Sequence, residues 1–249
     1  MDIYKLGDNI RSETSRDERN SDEESLIITD IRQAVKNENR VNIFVNGKYS
    51  FSLDIAQVVE LGIRKGLAIT EEQLADCKKA SEFGKAYQRA LEWALTRPHS
   101  ERELADYLKR RRMQANAKER KKEWEDKKNG VKPKTRPRYD FDDLIIKRLT
   151  ERGYVDDYKF AQYYVENRFV KRGVSTKRLK MELMKKGVAR DIIERVLDNS
   201  ERNDEEEIKK IVAKKRARYS DEKLIQYLCR QGFQYDVVKN VVEEFANES

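Results

Sequence analysis

Two stretches decide how this chain folds: Ser175-Thr176-Lys177-Arg178-Leu179-Lys180-Met181-Glu182-Leu183-Met184-Lys185-Lys186-Gly187 and Ser220-Asp221-Glu222-Lys223-Leu224-Ile225-Gln226-Tyr227-Leu228-Cys229-Arg230-Gln231-Gly232. They start 45 residues apart and share one pattern. Leucines follow the serine by four and eight residues, glycine by twelve, and Asp191 or Asp236 by sixteen. Apolar pairs come next, Ile192-Ile193 and Val237-Val238, then Val196-Leu197 and Val241-Val242. Serine caps a helix by accepting a bond from an orphan backbone N–H. Leucines four residues apart form one ridge on one helix face. Glycine suits the left-handed residue just past a helix C-terminus. The aspartates are expected to cap the helix that follows.

The pattern reaches back to Ser100, Leu104 and Leu108, where Ser100-Glu101-Arg102-Glu103 has the form of a capping box. A helical pattern precedes each serine, at 85–96, 158–171 and 205–218. The unit is therefore three helices, present three times. The first copy is stretched: Asp143-Leu144-Ile145-Ile146 corresponds to Asp191-Ile192-Ile193-Glu194 but lies 43 residues after its serine rather than 16. Arg112 stands where glycine is expected. The second helix is predicted to run on through the Lys/Glu-rich stretch to about Asn129-Gly130, stabilised by pairs four residues apart. Pro133 and Pro137 then make an extended return. A loop that orders only on a partner is the alternative.

Upstream, Val41–Val45, Asn46-Gly47 and Lys48–Leu53 read as a β-hairpin, since Asn-Gly between alternating runs favours a two-residue turn. That turn pairs Val45 with Lys48 and splits the apolar residues between faces. A three-residue loop pairs Val45 with Tyr49, Ile43 with Phe51 and Val41 with Leu53 on one face. The latter register is preferred, because a slip of one residue inverts every side chain. Two strands alone are marginal, so the hairpin needs a helix or a third strand. A short helix is expected from Ile55 to Leu61. A longer one begins at the Thr70-Glu71-Glu72-Gln73 capping box, with a break near Gly84 and a stop before Pro98.

The expected fold is mainly α: tandem three-helix repeats in an elongated, modular molecule with a small N-terminal β-hairpin/helix extension. The expected segments are an acidic disordered tail (1–25), the hairpin with helices (26–80), repeat one with a basic insertion at 113–139 (81–155), repeat two (156–200) and repeat three (201–249). Composition agrees. Charged residues make up 40% and hydrophobic ones 38%, against about 25% and 45–50% in an average domain. Such a chain favours small amphipathic helices over one large core. Ten glycines and three prolines are too few for an all-β sandwich. No apolar run approaches the roughly 18 residues of a membrane span. Met1-Asp2-Ile3-Tyr4 opens no signal peptide, and Cys77 and Cys229 match no metal or disulfide spacing. A cytoplasmic location is expected.

The net charge of +8 is unevenly placed. Residues 1–30 carry a net −5, whereas 109–138 hold fourteen Lys or Arg against four acidic residues. A field of that strength attracts polyanions, nucleic acid above all. The candidate contact residues are Arg110, Arg111, Arg112, Lys118, Arg120, Lys121 and Lys122 in the insertion. Repeat two adds Lys171, Arg172, Lys177, Arg178, Lys185 and Lys186, and repeat three Lys214, Lys215, Arg216 and Arg218. Each would position a phosphate or an acidic surface without reading sequence. Any one alone is more often a solvated surface charge. No catalytic group, metal site or cofactor is expected. His99 is the sole histidine, no phosphate-binding glycine loop occurs, and the Asp140–Asp143 and Asp156-Asp157 clusters sit where helices start. Phe160, Tyr164, Leu179, Leu183, Leu224 and Leu228 should be core, with Tyr163 left open for stacking.

The segment from Leu149 through Glu151-Arg152-Gly153-Tyr154-Val155-Asp156-Asp157 to Phe160-Ala161 resembles the RecX recombination regulators. Arg168, Gly173, Glu182-Leu183 and Gly187-Val188 extend the match, and Arg97-Pro98-His99-Ser100-Glu101-Arg102-Glu103-Leu104 resembles the family's opening. The resemblance covers 85–249; the insertion departs from it. It implies a nonenzymatic monomer that lies along the RecA–DNA filament, mostly inhibits its ATPase and strand exchange, and acts in recombination and DNA repair. The alternative is a RecA-independent basic protein that binds single- or double-stranded DNA directly.

Overall fold

The computed structural model describes residues 26–35, 37–132 and 139–247. The expected acidic tail and the proline return lie outside the described residues. The described residues form two compact units, one on 26–90 with 139–141 and the other on 91–132 with 142–247.

The first unit is a sheet backed by helices. Strands β1 (Leu26–Ala34), β2 (Asn37–Val45), β3 (Lys48–Asp54) and β4 (Ala68–Ile69) lie in the order β3-β2-β1-β4 with antiparallel neighbours. The two registers weighed for the hairpin both occur, in different places. Val45 pairs with Lys48 across a tight turn, with Asn46 at φ 47° and Gly47 at φ 75°. Ile43 nevertheless pairs with Phe51 and Val41 with Leu53. A bulge reconciles them: Phe44 faces Tyr49, and Ser50 is the extra residue on β3. The expected Val45–Tyr49 pair is therefore wrong, because the bulge, not the turn, restores the apolar face. The third strand that the hairpin required is β1. Its alternation is broken by its own register shifts next to Ile28 and Gln33, which hid it in the sequence.

Helix α1 (Ile55–Glu60) carries a reciprocal capping box between Asp54 and Gln57. Gln57 also donates from Nε2 to the Ala80 carbonyl at 2.8 Å, which ties α1 to α2 (Glu71–Ala94). The Thr70 box forms as read, with Gln73 N–H on Thr70 Oγ1 at 3.1 Å and Thr70 N–H on Gln73 Oε1 at 3.0 Å. Helix α2 is unbroken at Gly84. A Cβ there would stand 2.7 Å from Gln57 Oε1, so glycine serves close approach and not a kink. The core joins Ile28, Ile43, Phe51 and Leu53 to Leu74, Cys77 and Ala80. Burial pushes the Cys77 thiol up to about 12, far from any thiolate chemistry.

The second unit holds α3 (Glu101–Lys128), α4 (Asp142–Glu151), α5 (Asp157–Asn167), α6 (Thr176–Lys185), α7 (Arg190–Asp198), α8 (Asp204–Lys215), α9 (Asp221–Arg230) and α10 (Tyr235–Asn247). Helices α5–α7 and α8–α10 form two three-helix blocks, each around its own core. Phe160, Leu179, Leu183 and Ile193 lie in the first; Ile208, Leu224, Leu228 and Val238 lie in the second. Leu104, Leu108, Ile145 and Leu149 are buried where α3 packs on α4. Helix α3 continues past Arg112 to an Asn129 C-cap. Three expectations need correction. Asp191 and Asp236 lie inside the first turns of α7 and α10, and α7 starts from Ala189 with no side-chain cap. The helix before Ser175 ends at Asn167, because Phe169 takes a left-handed conformation, φ 49°. Glu103 does not close the capping box at Ser100; its carboxylate turns to other partners.

Candidate functional site

The blocks are joined by a polar link that occurs twice. Ser100 and Ser175 each cap a second helix, accepting from Glu103 N–H at 3.1 Å and Arg178 N–H at 3.3 Å. Each hydroxyl also donates to the carbonyl that ends the second helix of the next block: Ser100 to Lys186 at 2.9 Å, Ser175 to Gln231 at 2.7 Å. The next backbone N–H in each case, Glu101 or Thr176, is taken by the first-turn aspartate of the following block, Asp157 at 2.9 Å or Asp204 at 2.7 Å. Both serines are fully buried. The glycines complete the link. A Cβ on Gly187 would lie 2.6 Å from Arg102 Cβ, and one on Gly232 would lie 2.9 Å from Ser175 Oγ, at φ 86° and 97°. Ser220, the third copy, is exposed and makes no capping bond.

Charged groups reinforce the links. Glu207, 2% exposed, accepts from Arg202 at 2.9 and 3.1 Å, from Lys210 at 2.7 Å and from Val174 N–H at 2.9 Å. Burial would raise its carboxyl, but these donors outweigh it and hold it low. Arg202 also donates to the Val165 and Arg168 carbonyls. Between the first two blocks, Glu103 receives Lys186 Nζ at 2.6 Å and Arg97 at 3.0 Å and lies 3.1 Å from His99 Nδ1. Burial opposes its ionisation, yet Lys186, His99 and Arg97 keep it below the usual glutamate range. His99, 3% exposed, stacks on Trp93 with ring centroids 3.6 Å apart, and Trp93 stacks on Tyr107 at 4.6 Å. Burial pushes the imidazole below its ordinary value, against the pull of Glu103. Glu182 accepts from Arg168, Tyr164 and Arg178. Burial works against that carboxylate, and the three donors still hold it at about 2.

These links sort the candidate cations. Lys186 and Arg178 work inside the links, on Glu103 and on Glu182 with Gln231. Arg112 pairs with Asp142 at 3.3 Å, and Arg216 donates to the Phe245 carbonyl. On α3, Arg110 bonds back to the Asp106 carbonyl and Lys121 stands 3.9 Å from Glu125. Arg111, Lys118, Arg120 and Lys122 are exposed on that helix. Lys171, Arg172, Lys177, Lys185, Lys214 and Arg218 are exposed, and Lys215 is half-buried. None of these last seven has an acidic partner among the described residues. Arg202 was missed by sequence reasoning, since it lies outside the basic runs, and Arg168 entered it only through the family resemblance, with no contact to Glu182 foreseen. Phe160, Leu179, Leu183, Leu224 and Leu228 are core, and Tyr164 packs on Phe160.

The site is thus a set of exposed cations on a tandem of three-helix domains locked by buried polar links: the class is a helical-repeat protein. Known proteins agree. Residues 26–70 match the model of the regulatory protein RecX N-terminal domain, and 156–197 that of the RecX second three-helix domain. Regulatory protein RecX of Listeria monocytogenes serotype 4a is 28% identical over 231 residues, 89% of this chain and 76% of that protein. That of Bacillus licheniformis is 28% identical, covering 87% and 76%. A crystal structure of regulatory protein RecX superposes with a TM-score of 0.63 at 22% identity, covering 88% of this chain and 99% of that one. The chain is thus similar to regulatory protein RecX over most of its length. No helix among the described residues is long and apolar enough to cross a membrane.

Proposed function

We propose that this protein is a nonenzymatic regulator that binds the RecA–DNA filament and restrains its ATPase and strand exchange in recombination and DNA repair. The observation that carries the reading is the repeated block itself. Two matching polar links hold successive blocks together, so the exposed cations of neighbouring blocks are carried on one tandem array, which suits a polymeric partner. Arg172, Lys177 and Lys185 on the second block, and Lys214, Lys215 and Arg218 on the third, are the proposed contacts, with Arg111, Lys118, Arg120 and Lys122 on α3. The test is RecA's single-strand-dependent ATPase with and without the protein. Slowing at micromolar concentration is expected, and an unchanged rate refutes the reading.

The unpaired cations of α3 favour a second reading, direct binding of nucleic acid without RecA. Titration at several salt concentrations tests it: log affinity should fall by about 0.9 per phosphate contacted on duplex. A flat response eliminates it.

A further inference from the structure

A cavity of about 360 Å³ opens between the second and third blocks. Its wall includes Phe169, Arg172, Lys214, Lys215 and Tyr227. That volume falls in the range that holds a small organic ligand. Arg172, Lys214 and Lys215 have no acidic partner among the described residues, whereas the neighbouring Arg178 is spent on Glu182 and Gln231. Three uncompensated cations at one concavity create a site for a phosphate. The wall beside them is aromatic. Phe169 holds the left-handed conformation that a bulky side chain rarely adopts, which is a strain that clusters at ligand sites.

The chain supplies its own template for what fits beside Tyr227. Tyr227 stands seven residues after Ser220, and Tyr107 stands seven after Ser100. The residues just before those serines are Tyr219 and His99. In the first block the flat indole of Trp93 lies stacked on both His99 and Tyr107, at 3.6 and 4.6 Å. In the third block no ring takes that role. The ammonium of Lys215 lies 5.3 Å from the Tyr219 ring centroid and 4.7 Å from that of Tyr227. The ring pair of the third block thus has a cation beside it, where the pair in the first block holds a flat heterocycle.

We propose that this cavity takes one nucleotide unit of a single-stranded nucleic acid. Its phosphate lies among Arg172, Lys214 and Lys215, and its base lies on the Tyr227 ring. The choice of a strand over a free nucleotide rests on the filament reading above; the chemistry of the site does not. An acidic protein segment would use the cations but leave the rings idle, so nucleic acid is the better fit.

The test uses the full chain without RecA. A short oligothymidylate carrying 5-iododeoxyuridine is photocrosslinked, and the adduct is mapped by mass spectrometry. The adduct is expected on Tyr227 or Phe169. Lys214→Glu with Lys215→Glu should weaken binding at least about tenfold and shallow the salt dependence by about 0.7, the value for one single-strand phosphate. Tyr227→Leu should lose about tenfold, the scale of one stacked base. Lys48→Glu with Lys78→Glu, exposed charges outside every proposed contact, should leave the adduct in place. An adduct confined to α3, or unchanged binding by the Lys214/Lys215 variant with its circular dichroism intact, overturns the proposal. So does equal competition by thymidine triphosphate, which assigns a free nucleotide, or by polyglutamate, which assigns an acidic peptide. The RecA ATPase of the same variants separates the two readings. A mapped adduct without ATPase slowing refutes the filament reading alone, and slowing without the adduct refutes the cavity alone.

Discussion

Replacing Ser175 by alanine should be several times more damaging than replacing Ser220, although the two occupy the same place in the same motif. Ser175 makes two bonds with no water to replace them. The capping bond from Arg178 N–H is long, 3.3 Å, so its loss sits at the low end of the usual range, about 0.5–1 kcal/mol. The bond to the Gln231 carbonyl is 2.7 Å. Alanine leaves that carbonyl without its partner next to a fully buried position, which costs about 1–3 kcal/mol. The sum is about 1.5–4 kcal/mol, centred near 2–3, a large share of the 5–15 kcal/mol or so that stabilises a typical domain. Ser220 is exposed and makes no capping bond. Its loss should stay within about 0.5 kcal/mol. Hydrogen exchange read by mass spectrometry localises the effect. Opening of the first turn of α6 and of 231–233 should accelerate about 30- to 150-fold in Ser175→Ala, since each 1.4 kcal/mol or so is tenfold. Urea unfolding followed by circular dichroism should show the same order, with Ser100→Ala close to Ser175→Ala. Equal destabilisation by Ser175→Ala and Ser220→Ala would refute the idea that the two buried bonds of Ser175 carry the energy.

Other consequences follow from the same links. Glu207→Gln weakens a buried carboxylate that four donors share, and should cost about 3–5 kcal/mol in urea unfolding; a change under 1 kcal/mol or so would show that water already reaches the site. Because burial holds His99 below its ordinary value, the unfolded chain binds the extra proton first. His99's contribution is therefore complete above about pH 6.5 and declines as pH falls below it. Melting midpoints should drop between about pH 7 and 5, and His99→Gln should flatten that drop; a midpoint that rises on acidification contradicts the sign. Glu182, held at about 2, contributes stability present above its unfolded value and lost only as pH falls toward that figure, so Glu182→Gln should leave the slope near pH 6 unchanged. Gly232→Ala meets Ser175 Oγ at 2.9 Å in a left-handed conformation and should cost more than about 1 kcal/mol, measured by the same urea series. Reversing Lys121, Lys122, Lys127 and Lys128 to Glu should clearly weaken polyanion binding with little change in melting temperature; unchanged binding would make the α3 charges a solubility device.

Much of this was legible in one dimension. The serine, leucine and glycine spacing specified the second helix of each block and its core face, because a helix buries one ridge whatever its neighbours. Asn46-Gly47 specified its turn for the same local reason. The continuous helix through Gly84 was not legible, since only the packed Gln57 side chain explains that glycine. Nor was the helix end at Asn167, which depends on the strained Phe169.

What the sequence determined alone is therefore the set of blocks, the strands of the hairpin and the surplus of cations, all of which rest on contacts between residues near in the chain. The tertiary structure decided which cations remain free. Lys186 and Arg178 look no different from Lys185 and Lys177 in a string of letters. They differ because half-buried Glu103 reaches Lys186 from 83 residues away, and Gln231 reaches Arg178 from 53 residues away beside its own-helix partner Glu182. A carboxylate withdrawn from water must find a donor or lose its charge, and folding selects which lysine or arginine is consumed in that role.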